Sequence, residues 1–257
     1  MDTVACIKRV PDTGAKLTLT DDEQEIDTSH LGFTISPHEE CAVEEAIQVA
    51  DDHDGTATVM SLGSVDADEQ LRTGLAMTAD EATLLETDGE EWRPRETAAA
   101  LADALSDDSG TDPEFDLLLF GNESADVANH QVGVRVAERL DMPFVAGVSD
   151  LTIEDGIAVA ERDVTGGTEV YELNLPAAVG VKEGLNQPRY ASMRAKMQAR
   201  KQSIGRQDPV AGEFDGGIEK VRLEAPESTE GAAEVLGEGP DAVPAVVDLL
   251  RDDLEVL

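Results

Sequence analysis

The chain has 257 residues, of which 40% are hydrophobic, enough for one large or two small domains with a substantial core. Its 56 acidic and 19 basic residues give a formal net charge of −37, and such a surface excludes general binding to the phosphate backbone of nucleic acids. No apolar run approaches 18 residues, which excludes a membrane-spanning helix.

The remaining bulk features concern salt, redox state and location. Acidic residues are spread along most of the chain while only six lysines occur, which predicts a halophilic protein whose self-repulsion is screened by salt. Cys6 and Cys41 lie 35 positions apart without a CxxC pair, and the four histidines show no metal-ligand spacing. We therefore expect no disulfide framework and no metal site. The opening residues show no signal-peptide pattern, so we expect a cytoplasmic protein.

Strand and helix signals alternate along the first 150 residues, which predicts an α/β fold with a parallel sheet. In chain order the pattern predicts a strand at Thr3–Val10, a hairpin or loop excursion at Leu17–Ile26, a helix after Ser36, a strand at Ala57–Leu62, a helix at Asp66–Thr78, a strand at Ala82–Leu85, a helix at Arg95–Ser106, a strand at Phe115–Phe120, a helix carrying Val132, Val136 and Leu140, and a strand at Phe144–Val148.

The pattern changes after about residue 150. Leu151–Ala160 and Glu169–Leu175 are predicted as antiparallel strands around a glycine turn, followed by a buried strand at Ala177–Val181. After Ser203 apolar residues become sparse, which predicts an extended arm with a final helix around Val243–Leu254. We therefore expect an open, mostly parallel, Rossmann-like sheet flanked by helices, with an antiparallel extension. The predicted division is an α/β domain at 1–205 and a C-terminal arm at 206–257.

Two helix starts are candidate anion sites. The loop at 121–129 follows a central strand and precedes a helix, the place where open α/β sheets bind ligands and where free N–H groups can receive a phosphate. It matches neither the P-loop nor the G-x-G-x-x-G motif, so it could also be a plain strand-to-helix connection. Ser36-Pro37-His38-Glu39 is an S-x-x-E capping box, which is either a second anion-receptive helix start or a cap alone.

A basic island stands out near residue 190. Seven of the 19 basic residues fall between Lys182 and Arg206, opposed only by Glu183. Met193 and Met197 lie one helical turn apart within it, an arrangement suited to docking against acidic partners. The alternative is a core-packed helix whose charges pair with nearby acids.

Several stretches, in this order and spacing, resemble the beta (small) subunit of electron-transfer flavoprotein, and the similarity covers about residues 1–205. The stretches are Ala5–Asp12 (ACIKRVPD), Ser36-Pro37 leading into Ala42–Ala46 (AVEEA), Arg72–Asp80 (RTGLAMTAD), Asp126 with Gln131–Gly133, Glu161–Asp163 with Gly166-Gly167 and Leu175–Ala177, and Asn186–Met193 (NQPRYASM) continuing to Met197–Lys201 (MQARK).

The resemblance implies an electron carrier subunit without covalent catalysis of its own. It implies a larger alpha subunit that holds most of the redox FAD, acyl-CoA dehydrogenase-type donors of fatty acid oxidation, a membrane quinone reductase as acceptor, and a structural AMP in this chain. The implied AMP pocket is Cys6, Ser36, Pro37, His38, Glu39, Leu62, Gly121, Asn122, Glu123, Ser124, Ala125, Asp126, Val127, Ala128, Asn129, His130, Gln131 and Val132. The implied recognition loop is about residues 184–205, with Arg189, Tyr190, Met193, Met197, Arg200 and Lys201 as partner-binding residues.

Departures from the family leave alternatives open. His38 and Glu39 replace more usual neutral residues, and Asn129-His130 stand where smaller residues are common. A second FAD occupies the AMP position in electron-bifurcating relatives, and the loop does not decide between the two ligands. A stand-alone adenine-nucleotide-binding regulator of the stress-response type would leave the basic island unexplained. An adenylating hydrolase would need a phosphate-gripping signature, which this sequence lacks.

Overall fold

A computed structural model describes residues 1–12, 14, 17–90, 92–106, 114–210, 212, 214, 220–225, 235–254 and 256. The strands are β1 (Thr3–Cys6), β2 (Val10–Pro11), β3 (Phe33–Thr34), β4 (Ala57–Gly63), β5 (Glu81–Glu86), β6 (Leu117–Gly121), β7 (Phe144–Val148), β8 (Asp150–Glu154), β9 (Ile157–Val164), β10 (Gly167–Asn174), β11 (Ala177–Val181) and β12 (Gly205–Gln207). The α-helices are α1 (Pro37–Asp52), α2 (Asp68–Ala76), α3 (Pro94–Ala104), α4 (Val132–Arg139), α5 (Met193–Ala199) and α6 (Val243–Asp248).

Seven parallel strands form the main sheet, in the order β12-β5-β4-β1-β6-β11-β7. The chain proceeds outward from β1 to β4 and β5, and then returns to place β6 on the other side of β1. This reversal creates a switch point between β1 and β6, where the carboxyl ends of the strands leave a crevice. The α/β fold expected from the sequence is confirmed.

Both faces of the sheet are buried, as the alternation of β1 shows. Ala5 belongs to a core cluster with Val43 and Ile47 of α1. Val4 points to the opposite face, into a cluster that includes Leu101 of α3 and Val136 of α4. A strand covered on both sides needs a continuous apolar sequence, which explains the run of leucines in β6.

The helix predicted after Ser36 begins as expected. Ser36 is the N-cap of α1, Pro37 lies in the first turn, and Glu39 completes the capping box. The predicted helix at Asp66–Thr78 consists of a 3₁₀ turn at Val65–Ala67 followed by α2. Leu19 and Ile26 form one antiparallel bridge, in agreement with the predicted excursion.

Two predicted strands differ from expectation. The strand predicted at Thr3–Val10 ends at Cys6, and Val10 pairs instead with Thr34 in a separate two-stranded ribbon. The strand predicted at Leu151–Ala160 is two strands, β8 and β9, because Asp155 (φ 50°) and Gly156 (φ 80°) form a tight hairpin turn. The antiparallel extension therefore has three strands.

The C-terminal region adds one strand to the main sheet. β12 pairs in parallel with β5 and lies across the boundary predicted between residues 205 and 206. The final helix comprises α6 and a π-helical turn at Leu249–Asp253, and neither contains a buried residue. Much of the arm between 211 and 234 lies outside the described residues. Among the helices that are described, none is long and apolar enough to cross a membrane.

Candidate functional site

A cleft of about 1150 Å³ opens at the switch point of the main sheet. Cys6 at the end of β1, Gly63 at the end of β4 and Gly121 at the end of β6 form its floor. The first residues of α3 and α4, Pro94 and Val132, lie along its rim. The predicted loop at 121–129 therefore borders a concave site.

Glu39 holds the first turn of α1 against the floor. One carboxylate oxygen accepts the N–H of Lys8 and the other accepts the N–H of Ser36, both at 2.8 Å. The Ser36 hydroxyl accepts the N–H of Glu39 at 3.2 Å and donates to the carbonyl of Glu123 at 3.3 Å. Burial raises the pKa of Glu39 to about 7, although the backbone hydrogen bonds favour its ionised form. This carboxyl is thus a structural clamp that can also titrate near neutrality.

Gly121 allows β6 and α1 to approach closely. A Cβ at this position would lie 2.7 Å from the Glu39 Cγ and 3.2 Å from the Glu39 backbone nitrogen. Only glycine fits between the strand end and the helix start without displacing one of them.

Charged side chains shape the loop at 121–131. Glu123 lies between two histidines: one of its oxygens is 2.6 Å from His130 Nε2 and the other is 3.6 Å from His38 Nε2. Asp126 is 2.5 Å from the Lys8 ammonium. Burial acts to raise the pKa of Asp126, but Lys8 and local hydrogen bonds hold it below its ordinary value. Asp126 is therefore paired with a cation of the chain, and Glu123 contacts two histidine rings.

The start of α4 supplies the anion-receptive groups. Gln131, its N-cap residue, makes no capping bond with its side chain, which accepts instead from Arg135 at 3.0 Å. Within the described chain, the N–H groups of Val132 and Gly133 have no hydrogen-bond partner. Such groups at a helix N-terminus favour a negatively charged ligand.

The cleft has a local excess of positive charge on a strongly acidic molecule. Counted over the described residues, its lining holds six lysines and arginines and four glutamates. The cationic residues are Lys8, Arg9, Arg93, Arg95, Arg135 and Lys220. In a chain of net charge −37 this excess favours an anionic ligand.

The structure brings most of the predicted pocket residues together. Those that line the cleft are Cys6, Glu39, Leu62, Gly121, Asn122, Glu123, Ser124, Val127, Asn129, His130, Gln131 and Val132. The predicted residues that do not line the cleft are Ser36, Pro37, His38, Ala125, Asp126 and Ala128. Ser36 and His38 contact the lining residue Glu123. Burial raises the pKa of the Cys6 thiol to about 12, so this cysteine is a packing residue and not a nucleophile. No cluster of His, Cys, Asp and Glu suited to a metal occurs in the part of the chain that is described.

Several lining residues were missed by sequence reasoning. Trp92 and Arg93 precede α3 and Arg95 lies in its first turn, and no functional motif marked them. Phe214 comes from the arm and lies between two guanidinium groups, 4.5 Å from Arg95 and 5.4 Å from Arg139. The only signal for the first group was the sequence Trp92-Arg93-Pro94 at the start of a helix. Nothing in the sequence connected Phe214, on the arm, with the cleft.

The basic island is displayed on the surface. Tyr190, Met193 and Met197 are 91%, 75% and 59% exposed, and Ala199 is the only buried residue of α5. Lys196 lies over the Tyr190 ring at 5.2 Å. Among the described residues, Arg194, Arg200 and Lys201 form no salt bridge. The helix is therefore not packed into the core, but the alternative is met in part, because Arg189 pairs with Glu44 and Arg206 pairs with Asp68 and Glu86.

Arg189 differs from the other predicted partner-binding residues. Its guanidinium binds both carboxylate oxygens of Glu44, at 2.9 and 3.1 Å, and donates to Thr78 at 2.7 Å. Its side chain is directed at α1 and at Thr78 just beyond α2, whereas Tyr190, Met193 and Met197 are exposed.

Comparisons with known proteins agree with this geometry. The family model described as electron transfer flavoprotein domain matches residues 25–211. The chain is 33% identical to the electron transfer flavoprotein subunit beta of Bacillus subtilis, with all of both chains covered. It is 36% identical to the subunit of the same name from Syntrophomonas wolfei, with 82% of this chain and 81% of the relative covered. It is also 34% identical to the caffeyl-CoA reductase-Etf complex subunit CarD of Acetobacterium woodii, over 79% and 77% of the two chains. On these grounds the chain belongs to the electron transfer flavoprotein beta-subunit family.

Proposed function

We propose that this chain is the small subunit of a heterodimeric electron carrier, paired with a larger alpha subunit that holds the redox FAD. In this proposal acyl-CoA dehydrogenase-type donors reduce the complex in the cytoplasm, and a membrane quinone reductase oxidises it. The observation that carries it is the display of Tyr190, Met193 and Met197 on a basic segment of an otherwise acidic chain. Such a surface suits brief encounters with acidic redox partners.

The residues of this chain would bind, orient and shield, and would break no covalent bond. Bound FAD supplies the redox chemistry of such complexes. Arg162, on the antiparallel extension, pairs with Glu169 at 2.7 Å. It is a candidate residue at the interface with the alpha subunit.

We further propose that the cleft holds AMP. The fit rests on two observations: the unpartnered N–H groups of Val132 and Gly133, which can receive a phosphate, and the excess of arginine and lysine around them. Leu62 and Phe120 offer an apolar wall for an adenine ring. In this assignment the nucleotide is structural and fastens α4 to the strand ends.

A second FAD in the same cleft is the alternative, and the extent of the cleft supports it. The cleft of about 1150 Å³ is lined by Trp92 and Arg93 as well as by the start of α4. One relative is named as a subunit of a caffeyl-CoA reductase-Etf complex. In this alternative the chain would serve an electron-bifurcating complex.

Co-expression with the flavin-bearing larger chain tests the proposal. A yellow equimolar complex is expected, and acid extraction followed by chromatography should release one FAD and one AMP per complex. Two FAD per complex would replace the AMP assignment with the bifurcating one. A colourless monomer that binds ATP and recruits no flavin protein would overturn the proposal in favour of the stand-alone regulator.

A further inference from the structure

The exposed methionines belong to a segment, residues 186–201, that we call the docking segment. Its upstream end is fastened to α1. The Asn186 amide donates to the Cys41 carbonyl at 3.0 Å and to the Glu45 carboxylate at 2.8 Å. Three residues later, Arg189 binds Glu44 of the same helix. Consecutive turns of α1 thus hold the chain just before the exposed residues begin.

The Glu44–Arg189 contact is a bidentate ion pair whose carboxylate is buried and whose guanidinium is partly exposed. The Glu44 residue is only 4% exposed, and its carboxylate accepts the Arg189 backbone N–H at 3.0 Å as well as two bonds from the guanidinium. Gln48 donates a fourth bond to it at 2.7 Å. Burial acts to raise the pKa of Glu44, yet these bonds hold it below its ordinary value, so the carboxylate is fully paired.

The downstream end of the segment is fastened to α2. Arg72 donates to the carbonyl of Ala199 at 2.7 Å and to that of Gln202 at 3.3 Å. These carbonyls lie at the carboxyl end of α5, where a cation satisfies the unpaired acceptors and opposes the helix dipole. A seven-residue helix is too short to be stable alone, so α5 depends on such external contacts.

From these contacts we infer that Arg189 and Arg72 are positioning residues, which hold the docking segment preformed at its two ends and do not themselves contact the electron donor. The inference rests on the proposed function of Tyr190, Met193 and Met197 as a docking surface. It assigns Arg189 a different part from the partner contact that the family resemblance implies. An ordered surface binds more tightly than a loose one because less conformational entropy is lost in the encounter.

The test uses the assembled flavin-bearing complex and the variants Arg189→Lys and Arg72→Lys. Lysine keeps the charge at both positions, but it cannot form the bidentate bond of Arg189, and its ammonium ends one bond short of the Arg72 Nη1 that donates to both carbonyls. Arg222→Lys is the matched control, because Arg222 pairs with Glu224 on the arm, away from the docking segment. Met193→Ala serves as a second control that removes a docking side chain and leaves both anchors intact. Two properties are measured: amide hydrogen exchange of residues 193–199 without any donor, and the KM and kcat of a purified acyl-CoA dehydrogenase for the complex.

Each anchor variant should speed exchange in α5 by about tenfold, equivalent to about 1.4 kcal/mol, and raise KM with little change in kcat. Arg222→Lys should change neither property, and Met193→Ala should raise KM without faster exchange. Unchanged exchange in both anchor variants would overturn the inference. Suppose that Met193→Ala raises KM. Faster exchange in the anchor variants without a rise in their KM would then also overturn the inference. If Met193→Ala leaves KM unaltered, the docking surface itself is wrong, and the proposed function fails separately from the anchoring.

Discussion

The buried carboxylate of Glu39 accepts the backbone N–H of Lys8 at 2.8 Å, so a helix-capping residue also fastens α1 to the end of β1. The same helix carries Glu44, to which the docking segment is attached. One helix therefore connects the floor of the cleft with the surface that we propose meets electron donors.

The pH dependence of stability should report on Glu39. Its pKa in the folded chain is about 7 against an ordinary value of 4.5, so the folded state favours the protonated form. The protonated carboxyl makes its full contribution to the free energy of unfolding below about pH 4.5. This contribution, about 3 kcal/mol, is lost as the pH rises through about 7. Glu39→Gln should flatten this decline in urea unfolding measured from pH 4.5 to 7.5. Glu69→Gln, an exposed change in α2, should preserve it. If the free energy of unfolding falls equally with pH in the wild type and in Glu39→Gln, Glu39 is not the group responsible.

Gly121→Ala should open the junction between β6 and α1. The new methyl group would meet Glu39 at 2.7 Å, so we expect a loss of about 1–3 kcal/mol and a lower content of bound nucleotide. Gly167→Ala is the control, because a Cβ there meets nothing within 4 Å. Thermal unfolding and nucleotide extraction check both variants. Normal nucleotide content in Gly121→Ala would show that the close approach is dispensable for binding.

Met193→Ala should impair reduction by the donor while assembly and flavin content persist. The side chain is 75% exposed and supports no core contact, so its loss should act on docking alone. For an anchor residue at the centre of an interface we expect kcat/KM to fall by about tenfold. Val65→Ala, which shortens an exposed apolar residue remote in sequence, should leave kcat/KM unchanged. If the donor reduces the Met193→Ala complex as well as the wild type, Met193 is not an anchor residue.

Salt should stabilise the protein strongly. With a net charge of −37, repulsion among surface carboxylates opposes folding, and raising the salt from about 0.1 M to about 1 M shortens the Debye length from about 10 Å to about 3 Å. We expect Tm to rise steeply over this range of potassium chloride. Sucrose, which acts by exclusion without screening charge, should raise Tm much less. A Tm that is insensitive to potassium chloride would count against the halophilic interpretation.

The sequence determined by itself those features that depend on neighbouring residues. The capping box at Ser36–Glu39, the apolar run of β6 and the amphipathic pattern of α3 each carry a local signal, and each element formed where it was predicted. The parallel sheet and the cleft at its switch point followed from the alternation of these elements. The loop at 121–129 and the capping box at Ser36–Glu39 were marked by their positions at helix starts. Cys6, Leu62, His130, Gln131 and Val132 were predicted as pocket residues only through the family resemblance.

The tertiary structure alone decided which distant side chains meet. Glu44 and Arg189 are 145 positions apart, and no sequence pattern indicates that they pair. Their ion pair depends on how α1 and the chain after β11 pack together. The same holds for Phe214 between Arg95 and Arg139, and for β12 at the sheet edge beside β5. Periodicity and capping act over a few residues, whereas these contacts depend on burial and charge pairing between elements that are distant in sequence.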